Sequence, residues 1–91
     1  MLPSSSYFVS LHEDAAKMLE GLDASVRARL IKRIARMRSE PPGRHMAHGL
    51  DFFVEEAGQY RIVYTVEGDS KIVYFAGRHK DYEKWYSIRG K

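Results

Sequence analysis

The chain has no cysteine. That excludes disulfide staples and thiol chemistry, and it suits a reducing cytoplasm. No apolar run approaches the roughly 20 residues that cross a bilayer, so no membrane span is expected. Met1–Ser6 lacks a basic segment followed by an apolar one. A secretory leader is therefore not expected, and residues 1–6 read as a flexible lead-in. There is no P-loop, no G-x-G-x-x-G and no paired-carboxylate signature with supporting context. His45 and His48 stand three apart, but no third ligand accompanies them, so no metal is expected. Neither an internal repeat nor a low-complexity tract is present. Nothing in the sequence calls for a small-molecule cofactor.

What is present fits one domain spanning residues 1–91. Hydrophobic residues make up 44% of the 91, enough for one core, and charged residues 30%. A domain of this size buries a modest fraction of its surface and is marginally stable. The formal net charge is +3, unevenly spread. Between Ala24 and Ser39 stand Arg27, Arg29, Lys32, Arg33, Arg36 and Arg38, with no acidic residue among them. Such a cluster attracts a polyanion; the plainer reading is a solvated helix face.

Hydrophobic spacing orders the elements. Tyr7–Ser10 reads as a strand. Ser10 followed by Glu13 suggests a capping box for a helix ending near Gly21. Asp23 is placed to cap a second helix. Its apolar residues Val26, Leu30, Ile34 and Met37 form one stripe, while Arg29, Lys32, Arg33 and Arg36 share another face. The short link at Gly21–Asp23 implies a two-helix hairpin, and Pro41-Pro42-Gly43 ends the second helix. Beyond it, Asp51–Glu56, Gln59–Val66 and Lys71–Ala76 are rich in aromatic and β-branched residues. Gly58 and Glu67–Asp69 separate them, as in consecutive antiparallel hairpins. Tyr60, Ile62, Tyr64 and Val66 point to one side of the middle strand, and Arg61, Val63 and Thr65 to the other. The helices can cover one side, leaving the other free for a ligand. After Gly77, Lys80–Ile88 reads as a short aromatic-rich helix. The fold class is α+β: an N-terminal strand, a two-helix hairpin, an antiparallel sheet of three further strands, and a C-terminal helix.

Three stretches sharpen this outline. Gly58-Gln59-Tyr60-Arg61-Ile62-Val63-Tyr64 is similar to the G-x-Y-R-[LIV]-x-Y strand of the RelE/ParE toxin superfamily. Gly77-Arg78-His79-Lys80-Asp81-Tyr82 resembles that superfamily's C-terminal element. The loop Gly43–Leu50 stands where its members approach their second strand. The resemblance runs from about Tyr7 to Tyr86 and is strongest with archaeal RelE-like members.

The resemblance implies a type II toxin that cuts messenger RNA on the ribosome. Attack of a ribose 2′-hydroxyl on the adjacent phosphate would proceed without a metal, and a cognate antitoxin would hold the toxin inactive. Partners would thus be the antitoxin, the ribosome and mRNA. The ParE branch instead poisons gyrase, and a weakly active RNA-binding module of the same fold is a third reading. By the same resemblance, Arg61 matches a phosphate-binding arginine and Arg78 the second active-site arginine. His79 is the candidate general acid–base group, its ordinary pKa lying near neutrality. Tyr86 is the catalytic candidate of the aromatic tail. Arg44, His45, His48, Lys80 and Tyr82 would hold RNA. Plainer alternatives stand beside three features: an ion pair from Arg61 to Glu55 or Glu56, a structural or merely exposed His79, and an aromatic tail in which Trp85 and one tyrosine simply lock onto the core. The chain departs from strongly active bacterial relatives in one place. Its second strand, Asp51–Glu56, has no lysine.

Overall fold

Parity along the strands decides which side chains meet which layer. The computed structural model describes residues 6–45 and 52–89. Its elements are β1 (Phe8–Leu11), α1 (Glu13–Glu20), α2 (Ala24–Arg36) with a closing 3-10 turn at Met37–Ser39, and β2 (Arg44–His45). β3 (Phe53–Ala57), β4 (Tyr60–Glu67), β5 (Ser70–Arg78) and α3 (His79–Arg89) follow. The five strands form one sheet in the order β1-β5-β4-β3-β2. β1 runs parallel to β5 and the other pairs are antiparallel. A parallel pair needs a long crossover, here supplied by everything between β1 and β5. Among the described residues no helix is long and apolar enough to cross a membrane.

The α+β outline agrees with the sequence reading, and several boundaries move. Pairing of Leu11 with Val73 carries β1 past Ser10, so the capping box expected at Ser10 does not form. His12 caps α1 instead, its Nδ1 accepting from the Asp14 N–H at 3.1 Å. Asp23 stands at the N-cap of α2 but makes no side-chain cap bond. Arg44 and His45, expected in a loop, pair with Val54 and Phe53 as a fifth strand. β5 continues through Gly77 and Arg78 because β4 supplies partners as far as Tyr60.

A bulge in β5 opposite Val63 and Tyr64 leaves Tyr74 as the extra residue. Tyr74 and Phe75 therefore share a face, while Val73 and Ala76 stay on the other. The first face carries Ile62, Tyr64, Val73 and Ala76 against Ala15, Leu19, Leu30, Ile34 and Met37. The second carries Val54, Val63 and Phe75 against Trp85 of α3, with Phe52, Tyr74 and Tyr82 around them. The second face was expected to be free. It is partly roofed by α3, because Trp85 gains more by burial against Phe75 and Phe52 than by staying in water.

One polar network crosses the first layer. Lys71 of β5 is wholly buried, and its Nζ donates to the carbonyls of Met37 (2.8 Å) and Glu40 (2.7 Å). The ammonium also lies 4.4 Å from the centre of the Tyr7 ring, a cation–π contact. Arg33 of α2 donates to Glu40 at 2.8 Å and to Glu55 of β3. Tyr64 Oη accepts from the Gly43 N–H at 2.6 Å. Together these contacts tie the end of α2 and the chain after it to β3, β4 and β5. Burial pulls the Lys71 ammonium below the ordinary lysine range. The Arg33 hydrogen bond holds the Glu40 carboxyl below the ordinary carboxylate range.

Replacing Lys71 with Met leaves two carbonyls without their donor. The expected loss is about 2 kcal/mol of unfolding free energy, read from denaturant midpoints. Glu40 gives a pH signature. Its folded pKa lies below its unfolded one, so its stabilisation is present above about pH 4.5 and is lost as pH falls through the folded value. Glu40→Gln should be less stable at pH 7 and should lose less stability on acidification than the parent, as followed by thermal melts from pH 7 to pH 3.

Candidate active site

The β3–β4 turn and the β5–α3 junction meet at one end of the sheet. Gly58 makes the turn with φ 64°, a conformation costly for residues with a Cβ. In register, Tyr60 pairs with Arg78 and Arg61 with Gly77. The His79 N–H donates to the Gln59 carbonyl at 2.9 Å, so α3 leaves directly from the ladder. His79 is thus the first residue of a helix, not the end of a strand.

Arg61 alternates to the second face. Its guanidinium donates to the Gly58 carbonyl at 3.0 Å and the Tyr60 carbonyl at 2.9 Å, which folds the side chain back over the turn. Opposite it, Gly77 contributes no side chain, and the Phe75 ring lies over the glycine, 3.2 Å from where a Cβ would stand. Glu55 is not the ion-pair partner considered for Arg61, since it faces the helix layer and takes Arg33. Arg78 leaves the sheet on the first face, lining a hollow with Leu22, Val26 and Tyr60. The two arginines therefore depart from opposite sides of neighbouring strands. Arg78 Nε lies 3.9 Å from Asp81 Oδ2.

His79 is half exposed, its Nε2 4.0 Å from Glu83 and its ring centre 5.8 Å from that of Tyr82. Tyr82 in turn lies 6.2 Å from the Phe75 ring and is partly buried. Lys80 is exposed on the first turn of α3. The surface pairs of Arg78 and His79 are exposed and individually weak, so an arriving phosphate competes with them readily. The start of α3 adds its dipole, which favours an anion there. This end of the molecule can bind a phosphate, offer an imidazole for proton transfer and present an aromatic ring alongside.

The structure thus brings Arg61, Arg78, His79, Lys80 and Tyr82 to one end. Arg44 and His45 lie on β2, two strands from β4, their backbones about 10 Å across the sheet at the usual strand spacing. Tyr86 follows Tyr82 by one helical turn on α3. His48 lies outside the described residues. Trp85 behaves as the plainer reading held, buried against the sheet. As expected, β3 has no basic residue; Glu56 stands in register with Arg61.

Sequence reasoning placed Arg33 on the free basic face, yet it is drawn inward by Glu40 and Glu55. It gave Lys71 no role. The only available signal was that Lys71 shares strand parity with the inward-facing Val73. Arg27 also serves structure, reaching the carbonyls of Glu20 and Leu22 beyond the end of α1.

No protein-family model matches the sequence, and no curated protein does. Solved structures do match. The toxin–antitoxin complex RelBE2 of Mycobacterium tuberculosis aligns at 17% identity with a TM-score of 0.76, over 85% of this chain and 95% of that one. A double arginine-to-alanine mutant of the Escherichia coli toxin RelE in the free state aligns at 23% identity and 0.72, over 89% and 92%. The archaeal RelE–RelB complex of Pyrococcus horikoshii aligns at 19% identity and 0.64, over 80% and 94%. The chain has the RelE fold. Its likeness to those RelE chains extends over nearly their whole length, and the mixed sheet, the paired N-terminal helices and the C-terminal helix are all part of it. At these identities the RelE fold is what the comparison establishes.

Removing the Trp85 ring separates structure from chemistry at this end. Trp85→Ala should cost about 3 kcal/mol or more of stability. His79→Ala, at an exposed position, should shift it by no more than about 0.5 kcal/mol. Chemical denaturation of both variants checks the contrast.

Proposed function

We propose that the protein is a RelE-type toxin of a toxin–antitoxin pair, acting as an endoribonuclease on ribosome-bound mRNA and held inactive by a cognate antitoxin. The observation that supports this reading is that Arg61, Arg78, His79 and Lys80 stand at one end of the sheet, at the β3–β4 turn and the start of α3, on a RelE fold. In the reaction, the 2′-oxygen attacks the neighbouring phosphorus and the 5′-oxygen leaves, giving a 2′,3′-cyclic phosphate. Arg61 neutralises charge on the phosphate as it becomes pentacoordinate, its planar fork suited to two oxygens. Arg78 supplies a second cation from the other side of the strand pair. His79 moves a proton, taking it from the 2′-hydroxyl or giving it to the 5′-oxygen. Tyr82 and Tyr86 lie along α3 for stacking or positioning of a base. Arg44 and His45 on β2, together with His48, are assigned to holding the RNA strand. The neighbours solved as RelB–RelE complexes support an antitoxin partner.

A second reading has one observation in its favour. β3 presents Glu55 and Glu56 and no lysine, so positive charge is thin on that strand. A ParE-type inhibitor that binds gyrase without cleaving RNA would not need it.

Induced expression without antitoxin should arrest growth and protein synthesis. Arg61→Ala and Arg78→Ala should each lower message cleavage about 100-fold and relieve the arrest, with melting temperatures unchanged. Arrest that persists in both variants, with replication blocked and messages intact, would select the gyrase reading.

A further inference from the structure

The Gly58-Gln59-Tyr60-Arg61 spacing at the β3–β4 turn does more than reverse the chain. Gly58 and Gln59 form a two-residue turn, and such turns favour a positive φ at their first position, here 64°. The same turn catches the side chain that follows it. Arg61 Nη1 donates to the Gly58 carbonyl at 3.0 Å and to the Tyr60 carbonyl at 2.9 Å. Both contacts fall on one nitrogen. A guanidinium holds its N–H donors in a fixed plane. Parallel pairs of hydrogens lie at its end, on Nη1 and Nη2, and along one side, on Nε and Nη2. With Nη1 taken by the turn, the end pair is closed and the side pair stays open.

The charge points the same way. Arg61 is partly buried, and among the described residues no carboxylate stands within ion-pair distance of it. The two carbonyls orient the guanidinium without neutralising it. Arg78 is the contrast, since its Nε faces Asp81 Oδ2 at 3.9 Å and its side pair is the engaged one. A cation fixed along one edge and unneutralised along the other suits an anion with two oxygens in one plane, which a phosphodiester supplies.

We infer that Gly58 is a positioning residue for the phosphate: its carbonyl, with that of Tyr60, sets Arg61 so that an RNA phosphate is gripped side-on, by Nε and Nη2. The inference rests on the reading that Arg61 binds the phosphate, and adds which edge binds and what aims it. The grip is formed before RNA arrives, so little side-chain freedom is lost on binding. Glycine is needed here for its backbone and not for room. A Cβ at Gly58 would meet only the Arg29 guanidinium, at an ordinary 3.8 Å. Asn, which tolerates positive φ, therefore keeps the carbonyl in place, whereas a β-branched residue turns it away.

The test titrates the nitrogen-15-labelled full chain with a 2′-deoxy trinucleotide, which carries the phosphate but has no 2′-hydroxyl to attack it. On binding, the Arg61 Nε–H resonance should move downfield and exchange more slowly, with the Nη1 signals little changed. Gly58→Val should bind about tenfold more weakly, and Gly58→Asn should recover the affinity. Arg61→Lys, which keeps the charge and loses the fork, should bind as weakly as Arg61→Ala. The inference is overturned if Nη1 responds and Nε–H does not, or if the valine and asparagine variants bind alike. It is equally overturned if Arg61→Lys binds as tightly as the parent, or if the trinucleotide leaves Arg61 unperturbed. Should Gly58→Val fail to fold, the parent's Nε–H response and the lysine variant still decide. None of these readouts needs cleavage. If all appear and ribosome-bound message stays whole, the side-on grip stands and the nuclease reading falls.

Discussion

The buried ammonium of Lys71 fixes the geometry on which the rest of the molecule depends. A lysine wholly out of water is costly unless its protons are all directed at acceptors. Here the acceptors are the Met37 and Glu40 carbonyls, groups left over where α2 and its closing turn run out, with the Tyr7 ring beside the charge. One side chain thus satisfies the helix end, anchors it to β5 and sets where β1 begins. Arg33 adds the second tie, through Glu40 and across to Glu55. The chain that enters β2 is held by Tyr64 and Gly43. Four elements are therefore registered by polar contacts within an otherwise apolar layer.

That arrangement leaves the two ends of the sheet with different duties. The network occupies the part of the sheet near the end of α2. The basic cluster around Arg61, Arg78 and His79 sits at the β3–β4 turn and the start of α3, joined to the core through Trp85 and the ladder itself. Residues there are exposed, weakly paired and free of core packing, so they can meet a ligand without straining the fold. Among the described side chains of α3, buried Trp85 and partly buried Tyr82 pack against the sheet.

Much of this was legible in the residues. The 3-and-4 spacing of Val26, Leu30, Ile34 and Met37 located α2, and strand parity put Ile62 and Tyr64 on the helix side. The motifs around Gly58–Tyr64 and Gly77–Tyr82 pointed to the superfamily whose fold the structure shows. Less legible were features that arise only from non-local pairing. Ser10 looked like a cap because nothing local announces that Leu11 will pair with Val73. Arg33 looked like one more surface cation because its partners lie 7 and 22 residues away. Lys71 looked ordinary because burial of a charge is decided by what surrounds it. The opposite exits of Arg61 and Arg78 likewise follow from the β4–β5 register.

The central claim is that this fold and its basic end cut RNA by internal transesterification. Its most direct test is a purified one: ribosomes programmed with a defined message, the protein added with a metal chelator present, and the RNA ends analysed chemically. The account predicts a cut within the A-site codon, an upstream product ending in a 2′,3′-cyclic phosphate, and a downstream product beginning with a 5′-hydroxyl. Intact message at saturating protein, or ends carrying a 5′-phosphate, would contradict it.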